Sequence, residues 1–185
     1  MRENKGRRAL TSRDMAVFAM LGTLLFCGDI LMEWAPNIHF VGAFLVVYTL
    51  VYRVRALIPL YLYVFLNGVY MGFSLWWMPY LYVWLPLWGV TMLLPKELPR
   101  RVAIPLYMGI CALHGLCFGI LYAPFQALVF GLDFRQTLAW IAAGIPFDLL
   151  HTAGNFAIGA LVMPLSKALR RLESASLFRA GRSPR

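Results

Sequence analysis

The chain has 185 residues, 61% of them hydrophobic and 14% charged, with a formal net charge of +9 at pH 7. With a mean hydropathy of +0.70, this balance excludes an ordinary soluble domain and points to an integral membrane protein. The positive charge raises nucleic acid as a partner, but the basic residues sit in tails and tight turns beside apolar runs. That is the placement of topology determinants and anionic-lipid contacts, so membrane lipids are the expected partner and nucleic acid is set aside.

Six crossings are predicted in chain order. A basic tail, 1–13, leads into crossing one at 15–34, where Ser12 ahead of Asp14 suits an N-cap. The crossing starts close to the first residue and no small-residue cleavage site follows it, so it reads as a retained helix rather than a signal peptide. Crossing two, 38–52, falls short of the ~30 Å hydrocarbon core at about 1.5 Å per residue. A re-entrant hairpin there would strand Arg53 and Arg55 outside, against the charge rule, so a full crossing is retained. Crossings three to six follow at 56–75, 80–94, 102–130 and 138–165. The outer connections are then 35–37, 76–79 and 131–136, and Pro36, Pro79, Pro95 and Pro99 mark turns. The expected fold is an all-α membrane protein, a compact six-helix transmembrane bundle over 14–171, followed by a disordered tail, 172–185.

On this layout sixteen of the seventeen Lys and Arg residues share one side, and only Arg135 falls on the other. Basic flanks are retained in the cytoplasm, so both termini are expected there. Six crossings leave no room within these residues for a soluble catalytic domain, which puts any function inside the bundle. Cys27, Cys111 and Cys117 all lie in apolar helix, an odd set that argues against a disulfide framework or zinc. No internal repeat is present, which disfavours an inverted-repeat transporter.

Ionisable groups at bilayer depth are costly and mark candidate sites. Asp148, His151 and Asn155 are spaced i, i+3, i+7 and share one face of crossing six. They make either a substrate site, a proton relay, or a hydrogen-bond network that holds helices together. Asp29 and Glu33, four apart on crossing one, repel unless a cation or donor sits between them, so they either line a pocket mouth or reach the outer interface. Asn37 and His39 lie in the first outer connection beside Trp34, and His114 is expected to bond Asp148 or Asn67 structurally. Gln126 is a weaker pocket candidate. Tyr70, Trp76, Trp77, Tyr80, Tyr82 and Trp84 crowd the outer ends of crossings three and four. Part of that crowd is the interfacial belt of any membrane protein; the excess offers stacking faces for a flat ligand.

The stretch Gly144-Ile-Pro-Phe-Asp148-Leu-Leu-His151-Thr-Ala-Gly-Asn155, followed by Met163-Pro-Leu-Ser-Lys-Ala-Leu169, resembles the last helix of substrate-binding S components of energy-coupling factor (ECF) transporters. In riboflavin-type members a similar Pro-Phe stretch continues with a polar residue and, three on, a basic one, both lining the vitamin site. The match puts Asp148 and His151 at ligand-binding positions. The family's first helix carries Ala-x-x-x-Ala, which packs on the coupling subunit. Here Arg13-Asp-Met-Ala16-Val-Phe-Ala19-Met20 matches the first Ala and has Met20 at the second, while Ala19, Gly22 and Thr23 keep the surface small. The docking strip is thus Ala16, Ala19, Met20 and Thr23.

The resemblance implies a multi-pass binder of a vitamin or similar micronutrient in the bacterial cell membrane. It would dock on a transmembrane coupling subunit driven by two ATPase subunits, without cofactor, bound metal or catalysis of its own. Asp148 and His151 would anchor a small-molecule substrate, Asn155 would support them, and Trp34, Asn37, His39, Trp76 and Tyr80 would close over it. No Gly-rich Lys-Ser/Thr nucleotide motif is present, so a partner must hydrolyse ATP. Metal-importing members carry a His near residue two, where this chain begins Met1-Arg2-Glu3. The three carboxylates favour a ligand with a basic or donor part, and the rings a flat heterocycle. The alternative function is an intramembrane enzyme using the His and Asp residues of helices five and six, against which stand an incomplete serine elbow at Gly72-Phe-Ser74 and the lack of a His-Glu-x-x-His pattern. A structural or chaperone-like subunit is the third reading.

Overall fold

The computed structural model describes residues 10–35, 37–95 and 98–180, and among these the secondary structure is entirely helical. Eight α-helices form: α1 (Ser12–Leu31), α2 (Val41–Tyr52), α3 (Leu57–Met71), α4 (Leu85–Leu93), α5 (Arg100–Leu116), α6 (Phe118–Phe130), α7 (Phe134–Gly159) and α8 (Val162–Ala180). Single 3-10 turns at Arg53–Ala56 and Met78–Leu81 join α2 to α3 and lead into α4. Three helical stretches, Ser12–Leu31, Val41–Met71 and Arg100–Phe130, are long and apolar enough to cross a membrane, and the α7–α8 pair, bent by 47°, is a possible fourth. The protein is therefore an all-helical protein of the membrane type.

The caps follow from local sequence. Thr11, not Ser12, caps α1: its Oγ1 accepts from Asp14 N while Asp14 Oδ2 accepts from Thr11 N, a reciprocal box that needs the acid three residues after the cap. Asp133 and Gln136 form the same box at the start of α7. Gly131 closes α6 at φ 64, the left-handed conformation glycine adopts without a Cβ penalty.

Side-chain partners fix how the helices run. Along α1, Asp14 meets Arg55, Phe18 meets Tyr52, and Leu21 O accepts from Tyr48 Oη, so α2 is antiparallel to α1. Gly22 meets Leu62 and Asp29 meets Tyr63 and Asn67, so α3 is parallel to α1. The 31-residue stretch Val41–Met71 thus folds back on itself, so its length is that of α2 and α3 together and not of one straight span. The corner is Arg53, at φ 57 and ψ −124, which donates to the carbonyls of Met92 and Leu94 and accepts from Trp88 Nε1 at its own carbonyl. Those contacts hold the backbone in a region that a non-glycine residue rarely occupies.

Two expected crossings differ in form. The 102–130 segment breaks at Cys117 into α5 and α6. The last crossing ends at Gly159, and α8 leaves it at 47°. Residues 172–180, expected in a disordered tail, continue α8, while 181–185 lie outside the described residues. Glu173 accepts from Tyr52 Oη at 2.8 Å and pairs with Arg13 at 3.2 Å, which ties this part of α8 to α1 and α2. The shortness of the 38–52 crossing persists, since α2 has 12 residues, about 18 Å of rise. It is buried along most of its length instead of facing lipid.

α5 and α7 form the tightest seam, antiparallel and built on glycine. A Cβ on Gly159 would lie 2.7 Å from Met108 Cα, and one on Gly115 would lie 2.9 Å from His151 C and O. Only a missing side chain allows this approach, the usual device where lipid supplies no hydrophobic drive for helix association. The core of Val41, Leu45, Val46, Tyr48, Leu60, Tyr63 and Trp84 gathers around α2 and α3.

Candidate functional site

Most basic side chains lie at the end opposite the two larger cavities, and a smaller cavity of about 250 Å³ at the basic end is lined by Arg100, Lys167 and Arg170 themselves. Arg13, Arg53, Arg55, Arg100 and Arg170 cluster with Glu173, Leu94 and Leu50 at one end. At the other, two cavities of about 430 and 460 Å³ share Asn37, Trp76, Tyr80 and Tyr122 as a common wall. The first lobe adds Asp29, Glu33, His39, Asn67, Met71 and Trp77, and the second adds Phe118, Trp140, Phe147, Asp148 and His151. Each volume is within the range that holds a drug-sized ligand.

Local structure places each wall. Asn37 sits at φ 61 in the connection before α2, a left-handed position that Asn tolerates better than most residues. Trp76, Trp77 and Tyr80 come from the turns between α3 and α4; Trp77 Nε1 donates to Val64 O at 2.7 Å, which anchors that connection to α3. Tyr122, on α6, donates to Trp76 O and so ties the two sides of the shared wall together. Tyr122 also stacks on Trp140, with ring centroids 6.4 Å apart and 18° between planes.

His39 and His114 both pack against Trp84, while His151 meets His39 and Phe118. His39 and His151 face each other through Nε2 at 2.5 Å, so one of the two nitrogens carries the shared proton. Against the expectation from sequence, His114 bonds neither Asp148 nor Asn67; its Nε2 donates to Val83 O at 2.8 Å, and its ring stacks on Trp84 at 5.4 Å. The physical reason is rotation: α5 turns His114 toward the α4 approach, away from the face that Gly115 presents to α7.

Asp148 accepts from Gly119 N with both carboxylate oxygens, at 3.1 and 3.2 Å. The break at Cys117 exposes the first N–H groups of α6, and a carboxylate from α7 caps one of them across the helix interface. Asp29 accepts from Tyr63 Oη at 2.9 Å and Asn67 Nδ2 at 3.4 Å, which disperses its charge without a cation. Glu33 is exposed at the rim. Among the described residues no group of three or more His, Cys, Asp and Glu side chains is placed to hold a metal ion.

Of the eight residues predicted at the site, Asp148, His151, Asn37, His39, Trp76 and Tyr80 line one or both lobes. Trp34 and Asn155 line neither. Trp34 is 80% exposed in the turn after α1. Asn155 is 2% exposed, wedged between Gly42 and Gly115, with no hydrogen-bond partner for Nδ2 among the described residues. Gln126 is buried and outside both lobes. The docking strip Ala16, Ala19, Met20 and Thr23 is exposed along one face of α1, whereas Gly22 is turned inward, where a Cβ would sit 2.8 Å from Leu62 Cδ2.

The comparisons with known proteins leave the site to speak alone. The chain matches no family model, no curated protein and no solved structure. Sequence reasoning missed Tyr122, Phe118 and Trp140. Their signal was weak: Phe118 and Tyr122 are an i, i+4 aromatic pair beside Gly119, a pattern equally expected of a lipid-facing helix.

Proposed function

We propose that this chain is the substrate-capture subunit of an ECF-type importer in a bacterial cell membrane. It takes up a vitamin or similar small micronutrient from outside and delivers it through a transmembrane coupling subunit and two ATPase subunits, without chemistry of its own. On this reading the bundle crosses six times with both termini cytoplasmic. The fold-back at Arg53 supports that topology, as does the gathering of Arg13, Arg53, Arg55, Arg100 and Arg170 at the end opposite the two larger cavities.

One observation carries the reading: two adjoining lobes that share a wall, aromatic-lined and set with Asn37, His39, Asp29, Asp148 and His151, at the end away from the Arg13–Arg55–Arg170 cluster. A mostly apolar hollow with a few fixed polar groups suits solute capture. The exposed small-residue face of α1 supports docking, because it lets another helix approach closely.

The test is co-expression of the tagged chain with a coupling subunit and its ATPases, followed by purification and mass spectrometry of the intact complex and of retained small molecules. A stoichiometric complex with an unaltered bound solute is the expected result. A chain that never joins the coupling subunit, or that returns the solute chemically changed, overturns the assignment.

A further inference from the structure

We infer that the two-lobed cavity selects a flat aromatic molecule bearing a protonated amine or equivalent cation, with the ring in the Trp140 lobe and the cationic group directed to Asp29. This inference rests on reading the cavity as a solute site, and it names the class of solute.

The charge inventory is one-sided. Asp29 and Glu33 line the first lobe and Asp148 the second, and among the described residues no Lys or Arg lines either. The two ion pairs found among the described residues, Arg13–Glu173 and Arg55–Asp14, lie at the other end of the bundle. Asp29 has only neutral donors, Tyr63 and Asn67. A carboxylate held in a membrane interior without a counter-charge is costly, and a cationic ligand supplies the missing partner.

The two carboxylates are not equivalent. Both oxygens of Asp148 are engaged by Gly119 N, whereas on Asp29 the bonds from Tyr63 and Asn67 both fall on Oδ2, which leaves lone pairs on a group that lines the first lobe. The second lobe offers ring faces instead: Tyr122 stacked on Trp140, and Phe118 4.7 Å from His151 between ring centroids. Trp76 and Tyr80, in the shared wall, present π faces to a cation passing between lobes. An anionic ligand would meet three carboxylates and, apart from His39 and His151, only neutral donors such as Asn37, Asn67 and Tyr80, with no Lys or Arg among the described lining residues.

The probes are three indoles that differ in charge on one ring: tryptamine, tryptophol and indole-3-acetate, titrated calorimetrically at pH 7 into the purified full-length chain in detergent. Tryptamine should bind at least about tenfold more tightly than indole-3-acetate, with tryptophol between, and Asp29→Asn should bring tryptamine down to the tryptophol level while leaving tryptophol unchanged. Asn keeps an acceptor for Tyr63, and Glu33→Gln at the exposed rim is the second variant, expected to narrow the cation preference by a smaller factor. Equal or tighter binding of indole-3-acetate, no saturable binding of any probe, or a charge order unmoved by both variants overturns the inference. The transport reading fails separately, by the absence of a complex with the coupling subunit, and that failure leaves the charge order standing.

Discussion

Replacing Gly119 by Ala probes the contact that joins the two walls of the second lobe. A Cβ at this position would lie 2.5 Å from Asp148 Oδ2 and 3.4 Å from Oδ1, inside the space the carboxylate needs to reach the Gly119 N–H. The carboxylate must swing away, and the first turn of α6 loses a charge-assisted hydrogen bond of about 1.5–3 kcal/mol. Ala returns about 0.5–1 kcal/mol of helix propensity, so the net destabilisation should be about 1–2 kcal/mol. Gly109→Ala is the control, because a Cβ there meets nothing within 4 Å. Unfolding in mixed micelles with rising SDS, followed by circular dichroism, compares the two. The decisive step is the cycle with Asp148→Ala: once the carboxylate is gone, Gly119→Ala should cost nothing or stabilise, giving a coupling energy of about 1.5–3 kcal/mol. A Gly119→Ala protein as stable as Gly109→Ala, or a coupling under about 0.5 kcal/mol, refutes the interhelical cap.

Four further outcomes are expected. In a background lacking Cys27, Cys111 and Cys117, an impermeant maleimide added to intact cells should label Asp133→Cys and spare Arg101→Cys; external labelling at 101 would break the six-crossing topology. Ala19→Trp should abolish uptake and complex formation while solute binding persists, and parallel loss of binding would make that face internal packing. Gly159→Ala should destabilise by about 1–3 kcal/mol in the same SDS titration, since its Cβ meets the backbone at Met108 rather than a yielding side chain; wild-type stability would disprove the tight seam. His151→Ala should weaken binding of the co-purified solute by about 1.5–3 kcal/mol, while Asn155→Ala, outside both lobes, should change it by less than about 0.5 kcal/mol; the reverse order would restore Asn155 to the site.

What the sequence made legible was the part written in spacing and charge. Asp148 and His151, three apart, do project into one cavity, and the helices predicted around Arg53 do fold back there. Helix interruption was not legible. Nothing about Cys117 announces a break, because Pro124 and Pro105, the stronger signals, are absorbed inside α6 and α5. The rotation of His114 depends on which glycine faces α7, a tertiary choice that periodicity does not encode. Asn155 misled for a related reason: its i+7 position gives the right face of α7 but a depth below the cavity floor, where Gly42 and Gly115 close around it. The contacts of Glu173 with Tyr52 and Arg13, 121 and 160 positions away along the chain, are ones that local composition could not reveal.

Trp84 gives the chain an internal optical reference. It is one of six tryptophans, and at 1% exposure it is shut away from both water and lipid, ringed by His39, Tyr63, Tyr80, His114 and Phe118. Its emission should therefore stay at short wavelength until that ring cluster comes apart. Trp76, Trp77 and Trp140 border the lobes, so filling the lobes should change their intensity. One spectrum would then separate two events: occupancy should alter the lobe indoles without moving the buried band, and a red shift of that band should mark the loss of the fold itself.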